Sequence, residues 1–243
     1  MNIGQAVIWF AFFASLGAAY TFFRRGKTGG RQNNGTASSK GGVPFILFTI
    51  ALMAGILASV LLIDFLLTHQ FQYSYVAKYS SFAQPVAYLI SAFWAGQEGT
   101  FLLWAVVTSI MGIVFLKKSR QEDGYAMSLV SAYIAFLYFL ILVKSPFEVT
   151  ATVPPDGSGM NPLLEDPWMV VHPPILFIGY AATIFPFALV VSGLIRRNYD
   201  HWFAIGFPWT LFAASTLGAG IIIGGFWAYE VLGWGGYWGW DPV

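Results

Sequence analysis

Long apolar runs, separated by short polar segments, form the main pattern of this chain. Six runs reach the roughly 20 residues that a helix needs to cross the hydrocarbon core of a bilayer. Five of them contain no Asp, Glu, Lys or Arg, and the second contains only Asp64, near its end. Since lipid offers no partner for backbone polar groups, the runs predict an all-α, polytopic integral membrane protein. The predicted spans are about 3–23, 43–67, 99–116, 125–143, 174–195 and 207–229.

Basic residues predict how these spans are oriented. The segments after the first, third and fifth spans contain ten of the twelve Lys and Arg residues. The positive-inside rule places those segments in the cytoplasm, so both termini are predicted to lie outside. Arg24 and Arg25 follow the first apolar run instead of preceding it, which predicts a retained span and not a cleaved signal peptide. Lys78 and Lys144 are the two basic residues on the predicted outer side.

The loops divide the chain into two predicted regions. Residues 1–143 form an N-terminal four-helix membrane region, with a flexible cytoplasmic linker at 24–42 and an outer loop at 68–98. Residues 144–243 hold a second outer loop with a His-Pro-Pro motif, the last two spans and an aromatic segment at 230–243.

Composition excludes several classes of function. Only 9% of the residues are charged, against about 25% in soluble domains, which fits a lipid environment. No basic stripe is present outside short loops, so we predict no nucleic-acid partner. The chain has no cysteine and cannot supply a thiolate nucleophile, a disulfide or a thiolate metal ligand. Thiol chemistry would have to come from a partner, and we assign no catalytic side chain.

The most unusual segment lies between residues 233 and 242, where tryptophan and tyrosine alternate with glycine. One interpretation is an aromatic belt, because Trp and Tyr favour the membrane interface. The other is a binding platform for a flat apolar ligand such as a tetrapyrrole, since glycine lets a planar group approach the backbone. The candidate binding residues are Trp234, Gly235, Gly236, Tyr237, Trp238, Trp240 and Asp241.

This segment resembles the WWD domain of the CcmF family of haem-handling proteins. Two further blocks resemble the same family: residues 94–99, with the sequence WAGQEG, and residues 161–167, with NPLLEDP, which precede the His-Pro-Pro motif at 172–174. The resemblance extends from the second span onward. Gln97 stands where the family commonly has His, so we assign no role to it, and Glu98 is a candidate for mutation.

His172 is the candidate metal ligand. By resemblance it corresponds to the first of two outer-face histidines that flank the WWD domain in the family and ligate its haem. A neutral imidazole can be an axial ligand of haem iron, and Pro173 and Pro174 restrict the backbone directly after it. His69 and His201 match no such block and are interpreted as polar residues near helix ends.

The resemblance implies a component of the cytochrome c haem lyase in the cell inner membrane, with the WWD segment on the periplasmic face. Its cofactor would be b-type haem, held as a substrate. It would receive haem from a haem chaperone of the CcmE type and position it for thioether attachment to apocytochrome c. Thiol-reducing maturation subunits would be further partners. The chain stops at Val243, within the central motif of the family, so we expect an incomplete lyase that a second chain completes if the gene is split.

Several alternatives stay open at this point. A haem exporter or delivery module would need the same platform but no apocytochrome, and a paralogue dedicated to a nitrite-reductase cytochrome would share the motifs. A proton- or ion-coupled transporter would need charges near the centre of the bilayer, which five spans lack. A structural assembly subunit would tolerate loss of Trp238 or His172 without a change in haem occupancy.

Overall fold

Six long helices form the molecule in the computed structural model, which describes residues 1–28, 42–118, 124–197 and 199–231. Each is long and apolar enough to span a membrane, as the six apolar runs predicted. The described residues contain no β-strand beyond one isolated antiparallel bridge between Tyr73 and Val149. The long helices are α1 (Ile3–Thr28), α2 (Val43–Leu67), α5 (Gln97–Lys118), α6 (Gly124–Val143), α7 (Pro167–Arg196) and α8 (Tyr199–Val231), and two short helices, α3 (Ser74–Tyr79) and α4 (Val86–Ser91), lie between α2 and α5.

The helices run alternately up and down, so their ends meet on two sides of the bundle. We call the side that carries residues 68–96 and 144–166 the loop side. There the Asn2 side chain, just before α1, donates to the carbonyl oxygen of Phe147. On the opposite side Arg196, at the end of α7, donates to the carbonyl oxygen of Gly26 near the end of α1, at 2.6 Å. The start of α7 and the end of α8 therefore lie on the loop side.

The fifth long helix begins before the predicted fifth span, which starts near residue 174. α7 begins at Pro167, so the His-Pro-Pro motif at 172–174 lies inside a helix and not in the preceding loop. The reason is local: the Asp166 side chain accepts a hydrogen bond from the backbone N–H of Trp168 at 2.9 Å and caps the helix. Pro167 occupies the first helical position, where a missing N–H costs nothing. α8 likewise begins at Tyr199, before the predicted residue 207.

Close helix packing holds α7 against α8, α5 and α6. Glycines allow the shortest approaches, as in soluble and membrane bundles alike. A Cβ at Gly179 on α7 would contact the Leu217 side chain of α8 at 2.7 Å, and one at Gly220 on α8 would contact Leu176 of α7. α8 is the least buried of the six long helices, with 11% of its apolar window buried against 33% or more in the others. One face of α8 therefore meets α7, and most of the rest is open.

The segment between α2 and α5, predicted as an outer loop, is folded and packed on the loop side. α3 and α4 lead into a 3-10 turn at Ala92–Trp94, directly before α5. The Tyr75 hydroxyl accepts from the backbone N–H of Gly96 at 3.0 Å and contacts the carbonyl oxygens of Ala92 and Phe93 at 2.9 and 3.0 Å. Burial raises the pKa of Tyr75 above its ordinary value, so its hydroxyl stays protonated and can donate to one of these carbonyls.

Candidate functional site

His172 lies in the first turns of α7 and faces α8. Its ring is half-buried and lies 5.9 Å from the indole of Trp227, with 38° between the ring planes. Its Nδ1 atom is 2.9 Å from the carbonyl oxygen of Gly220. Because a carbonyl oxygen can only accept, Nδ1 must carry the hydrogen in this contact, and Nε2 keeps its lone pair.

This arrangement fits an imidazole that binds a metal. Histidines that ligate metals through one ring nitrogen usually donate the other N–H to a backbone carbonyl or a carboxylate, which fixes the tautomer and the ring orientation. In the described part of the chain, no three His, Asp or Glu side chains come together to hold a metal ion. A single imidazole of this kind can ligate the iron of a tetrapyrrole, whose ring nitrogens supply the other four ligands.

Two glycines on α8, one helical turn apart, make the space for His172. A Cβ at Gly224 would overlap the imidazole ring, with Nδ1 only 2.9 Å away. Gly220 is buried and supplies the carbonyl oxygen that accepts from the ring. The imidazole thus packs directly on the bare backbone of α8, and its position depends on the absence of side chains there.

Two tryptophans extend the aromatic surface around His172. Trp168, at the start of α7, donates from its indole to the Glu230 carboxylate on α8 at 2.7 Å and packs edge-on against Phe226. The indole nitrogen of Trp227 is buried, and none of the described residues accepts a hydrogen bond from it. These contacts fix the last turn of α8 next to the first turn of α7.

The WAGQEG block contacts the start of α7 through Trp94. Its indole nitrogen donates to the carbonyl oxygen of Met169 at 2.9 Å. Nearby, the Gln84 side chain donates to the Glu165 carboxylate at 2.9 Å. Trp94 of the WAGQEG block is therefore bonded to the segment between the NPLLEDP block and the His-Pro-Pro motif, 75 residues further along the chain.

Glu98 lies at the start of α5, within the same block. It is 9% exposed, and its Oε1 atom is 3.1 Å from Nζ of Lys144, whose side chain is 59% exposed. The hydrogen bond to the Glu98 carboxylate raises the pKa of Lys144 above its ordinary value. The other carboxylate oxygen of Glu98 is buried with no partner among the described residues. Gln97 is exposed, and no described contact joins either residue to His172.

The remaining predicted residues divide into two groups. His69 lies on the loop side, with φ of 52°, and its ring packs against Phe71 and Phe82, away from His172. The side chain of His201 and the whole of the predicted platform lie outside the described residues. The platform residues concerned are Trp234, Gly235, Gly236, Tyr237, Trp238, Trp240 and Asp241.

Four residues that contact His172 or lie beside it were not predicted as site residues: Gly220, Gly224, Trp168 and Glu230. The only signal was the spacing of the two glycines, which is typical of close helix contacts. That spacing does not say which helix or which side chain occupies the space.

Comparison with known proteins decides the family. The family model described as cytochrome C assembly protein matches residues 94–243. The chain belongs to this family. Among curated relatives, it is 40% identical to the cytochrome c-type biogenesis protein CcmF of Pseudomonas fluorescens over 184 residues, which are 73% of this chain and 28% of that protein. The CcmF of Escherichia coli is 36% identical over 195 residues, 76% of this chain and 30% of that protein.

A second type of relative agrees with this assignment, and a solved structure shares the fold. The probable cytochrome c-type biogenesis protein NrfE of Escherichia coli is 35% identical over 203 residues, 81% of this chain and 36% of that protein. The structure titled "Cytochrome c Heme Lyase CcmF" shares the fold, with a TM-score of 0.75 and 24% identity over 100% of this chain and 39% of that one. The chain thus spans less than two fifths of these relatives. With its six apolar helices, it is a multi-pass inner-membrane protein that resembles the N-terminal part of CcmF.

Proposed function

We propose that this chain forms part of the haem-holding surface of a cytochrome c haem lyase, with His172 as one axial ligand of the haem iron. The observation that carries the proposal is the hydrogen bond from Nδ1 of His172 to the carbonyl oxygen of Gly220. It leaves Nε2 as the ligating atom and fixes the ring on α8 before any ligand arrives. Family membership supplies the chemical context, because the relatives serve in cytochrome c biogenesis.

The aromatic segment would supply the face on which haem lies. Only Leu232 and Gly233 separate Trp234 from the end of α8 at Val231, and that end packs on the start of α7 through Trp168. Flat aromatic side chains next to glycines suit a planar apolar ligand. We therefore propose that Trp234, Tyr237, Trp238 and Trp240 contact the haem that His172 ligates.

The role of these residues would be to bind and orient. When bound, haem supplies the vinyl groups to which the cysteine thiols of apocytochrome c add. This chain has no cysteine, so the thiols come from the apocytochrome, and thiol-reducing maturation subunits would keep them reduced. The chain would hold two reactants in a productive geometry, which is the main contribution that positioning can make to rate.

A second iron ligand and the haem itself would have to come from outside the described site. His172 would supply one protein ligand to the haem iron, and a second would come from another residue or from a second chain that carries the rest of the lyase. A haem chaperone of the CcmE type would deliver the haem. The WWD segment would face the periplasm, where apocytochromes are matured.

Similarity to NrfE supports a second candidate for the cytochrome that is served. The match to NrfE covers 81% of this chain, against 76% for the CcmF of Escherichia coli. The same site would then attach haem to a nitrite-reductase cytochrome. A haem-delivery module is the third candidate, and it differs from both because no covalent product would form.

Cells that lack their own CcmF-type and NrfE-type proteins, but express the other maturation subunits, test these candidates together. The chain would be expressed there with the product of its adjacent downstream gene, and two apocytochromes would be supplied in turn. We expect covalent haem staining of one apocytochrome with the wild-type chain, strongly reduced by His172→Ala and by Trp238→Ala but not by His69→Ala. Absence of covalent haem on both, with the chain still carrying haem, would contradict the lyase and support delivery.

A further inference from the structure

The carbonyl oxygen of Met169 lacks the usual α-helical donor, because the residue four positions on is Pro173. In an α-helix each N–H bonds to the carbonyl four residues earlier, and proline has no N–H. The indole nitrogen of Trp94 donates to this carbonyl at 2.9 Å. We propose that Trp94 is a positioning residue for His172, acting through its bond to the carbonyl oxygen of Met169.

The start of α7 depends on such bonds from outside the helix. Pro173 and Pro174 together remove two consecutive N–H donors, so the carbonyls of Met169 and Val170 both lose their partners four residues on. Met169 is buried, and a buried carbonyl without a partner is costly. The bond from Trp94 satisfies this carbonyl and thereby holds the turn that carries His172.

Trp94 itself is well anchored. It ends the 3-10 turn that precedes α5, and its ring packs edge-on against Phe93 at 6.3 Å. The buried Tyr75 fixes that turn through its contacts with the carbonyl oxygens of Ala92 and Phe93. A side chain held in this way can fix the position of the residue to which it donates.

The position of His172 depends on α8 and on the turn to which Trp94 donates. The ring is bonded to Gly220 and lies beside Trp227 on α8, and the backbone of His172 follows the Met169 carbonyl to which Trp94 donates. Loss of the Trp94 bond would let that turn move relative to α8 and weaken the bond between Nδ1 and Gly220. The effect on haem rests on the proposed function, whereas the effect on the imidazole does not.

The test is the rate at which diethylpyrocarbonate modifies His172 in the full chain in detergent, measured by mass spectrometry without haem. Trp94→Phe keeps an aromatic side chain but replaces the indole by a smaller ring without an N–H, and we expect it to raise the rate about fivefold, as for loss of one buried hydrogen bond. Trp104→Phe is the matched control, because the buried indole nitrogen of Trp104 has no acceptor among the described residues. Its rate should stay within about twofold of wild type. Modification of His69 is the internal reference.

Pro173→Ala gives a second and sharper test. Alanine restores the N–H that can bond to Met169, so the effect of Trp94→Phe should largely disappear in the double variant, a coupling that independent sites do not show. Pro174→Ala restores an N–H that would bond to Val170 and not to Met169, so it should not reverse the effect of Trp94→Phe. An unchanged His172 rate in a folded Trp94→Phe chain, or equal rescue by both proline variants, would overturn the inference.

Haem titration of the same variants separates this inference from the proposed function. If Trp94 positions His172 and His172 ligates haem, Trp94→Phe shifts the Soret band and weakens haem binding about fivefold. Adding Pro173→Ala should then restore the band position and the affinity. A faster His172 reaction in Trp94→Phe, with no haem bound by any chain, would support the positioning role and contradict the haem site.

Discussion

His172 on α7 is bonded to the backbone of Gly220 on α8, with 2.9 Å between Nδ1 and the carbonyl oxygen. The bond joins α7, which begins on the loop side, to α8, which ends there. It also sets the tautomer of the histidine that was predicted to be a metal ligand. A side chain bonded to a neighbouring helix is preorganised, so little conformational freedom remains to be lost when a ligand binds.

The packing of His172 on α8 predicts the effect of a methyl group at Gly224. Gly224→Ala would push a Cβ into the imidazole ring, so we expect a loss of stability of about 1–3 kcal/mol, as for other overpacked sites. The haem affinity should fall as well, because the ring is displaced from Gly220. Thermal unfolding in detergent and haem titration measure the two effects.

Gly218 and Gly225 provide the controls for that substitution. A Cβ at either position meets no atom within 4 Å among the described residues. Gly218→Ala and Gly225→Ala should therefore keep or slightly raise stability, by up to about 1 kcal/mol, through helix propensity. Equal losses at positions 218, 224 and 225 would show that Gly224 does not hold His172.

The ion pair between Glu98 and Lys144 predicts a pH dependence. The hydrogen bond to the Glu98 carboxylate raises the pKa of Lys144 in the folded chain. The stability that this ion pair contributes is therefore fully present below the pKa of an unfolded lysine, about 10.4, and is lost as the pH rises through the higher pKa of the folded state. The contribution should stay below about 1 kcal/mol, since the lysine is mostly exposed. Thermal unfolding between pH 9 and 12, compared between wild type and Lys144→Met, measures it.

Lys78→Met is the matched control for that comparison. Lys78 is the other lysine on the loop side and lies over the ring of Tyr79, 5.1 Å from its centroid. Lys78→Met should keep the alkaline loss of stability that Lys144→Met removes. Identical pH profiles for all three proteins would mean that the Glu98 pair does not contribute.

Hydropathy was sufficient to predict the six long helices, but an apolar span does not show how far its helix extends beyond it, and α7 begins at Pro167, before the predicted span. The better signal was Asp166 followed by Pro167, a capping residue and a proline at the first helical position. Proline within a membrane helix is tolerated when other groups satisfy the carbonyls that it frees, as Trp94 does for Met169.

The contacts of the candidate site could not be predicted from the sequence. The long helices are apolar on all sides, so the hydrophobic pattern does not show which helices are neighbours. His172 was predicted from family resemblance alone, and its bond to Gly220 depends on the pairing of α7 with α8. For the same reason, the contact of Trp94 with the turn before His172 could not be predicted.

The distribution of basic residues predicts the orientation of the bundle. A phosphatase fused after Val231 should be active outside the membrane, because the loop side carries only Lys78 and Lys144. A fusion after Lys118, in a segment rich in lysine and arginine, should be inactive. Activity of the second fusion and inactivity of the first would reverse the topology and place the His172 site in the cytoplasm.

The most direct test of the haem site is the visible absorption spectrum during haem titration, for the chain alone and for the chain co-expressed with the product of its adjacent downstream gene. We predict that His172→Ala weakens binding about tenfold or more and shifts the Soret band, that added imidazole restores the band, and that His69→Ala matches wild type. Identical spectra and affinities for wild type and His172→Ala would contradict the account.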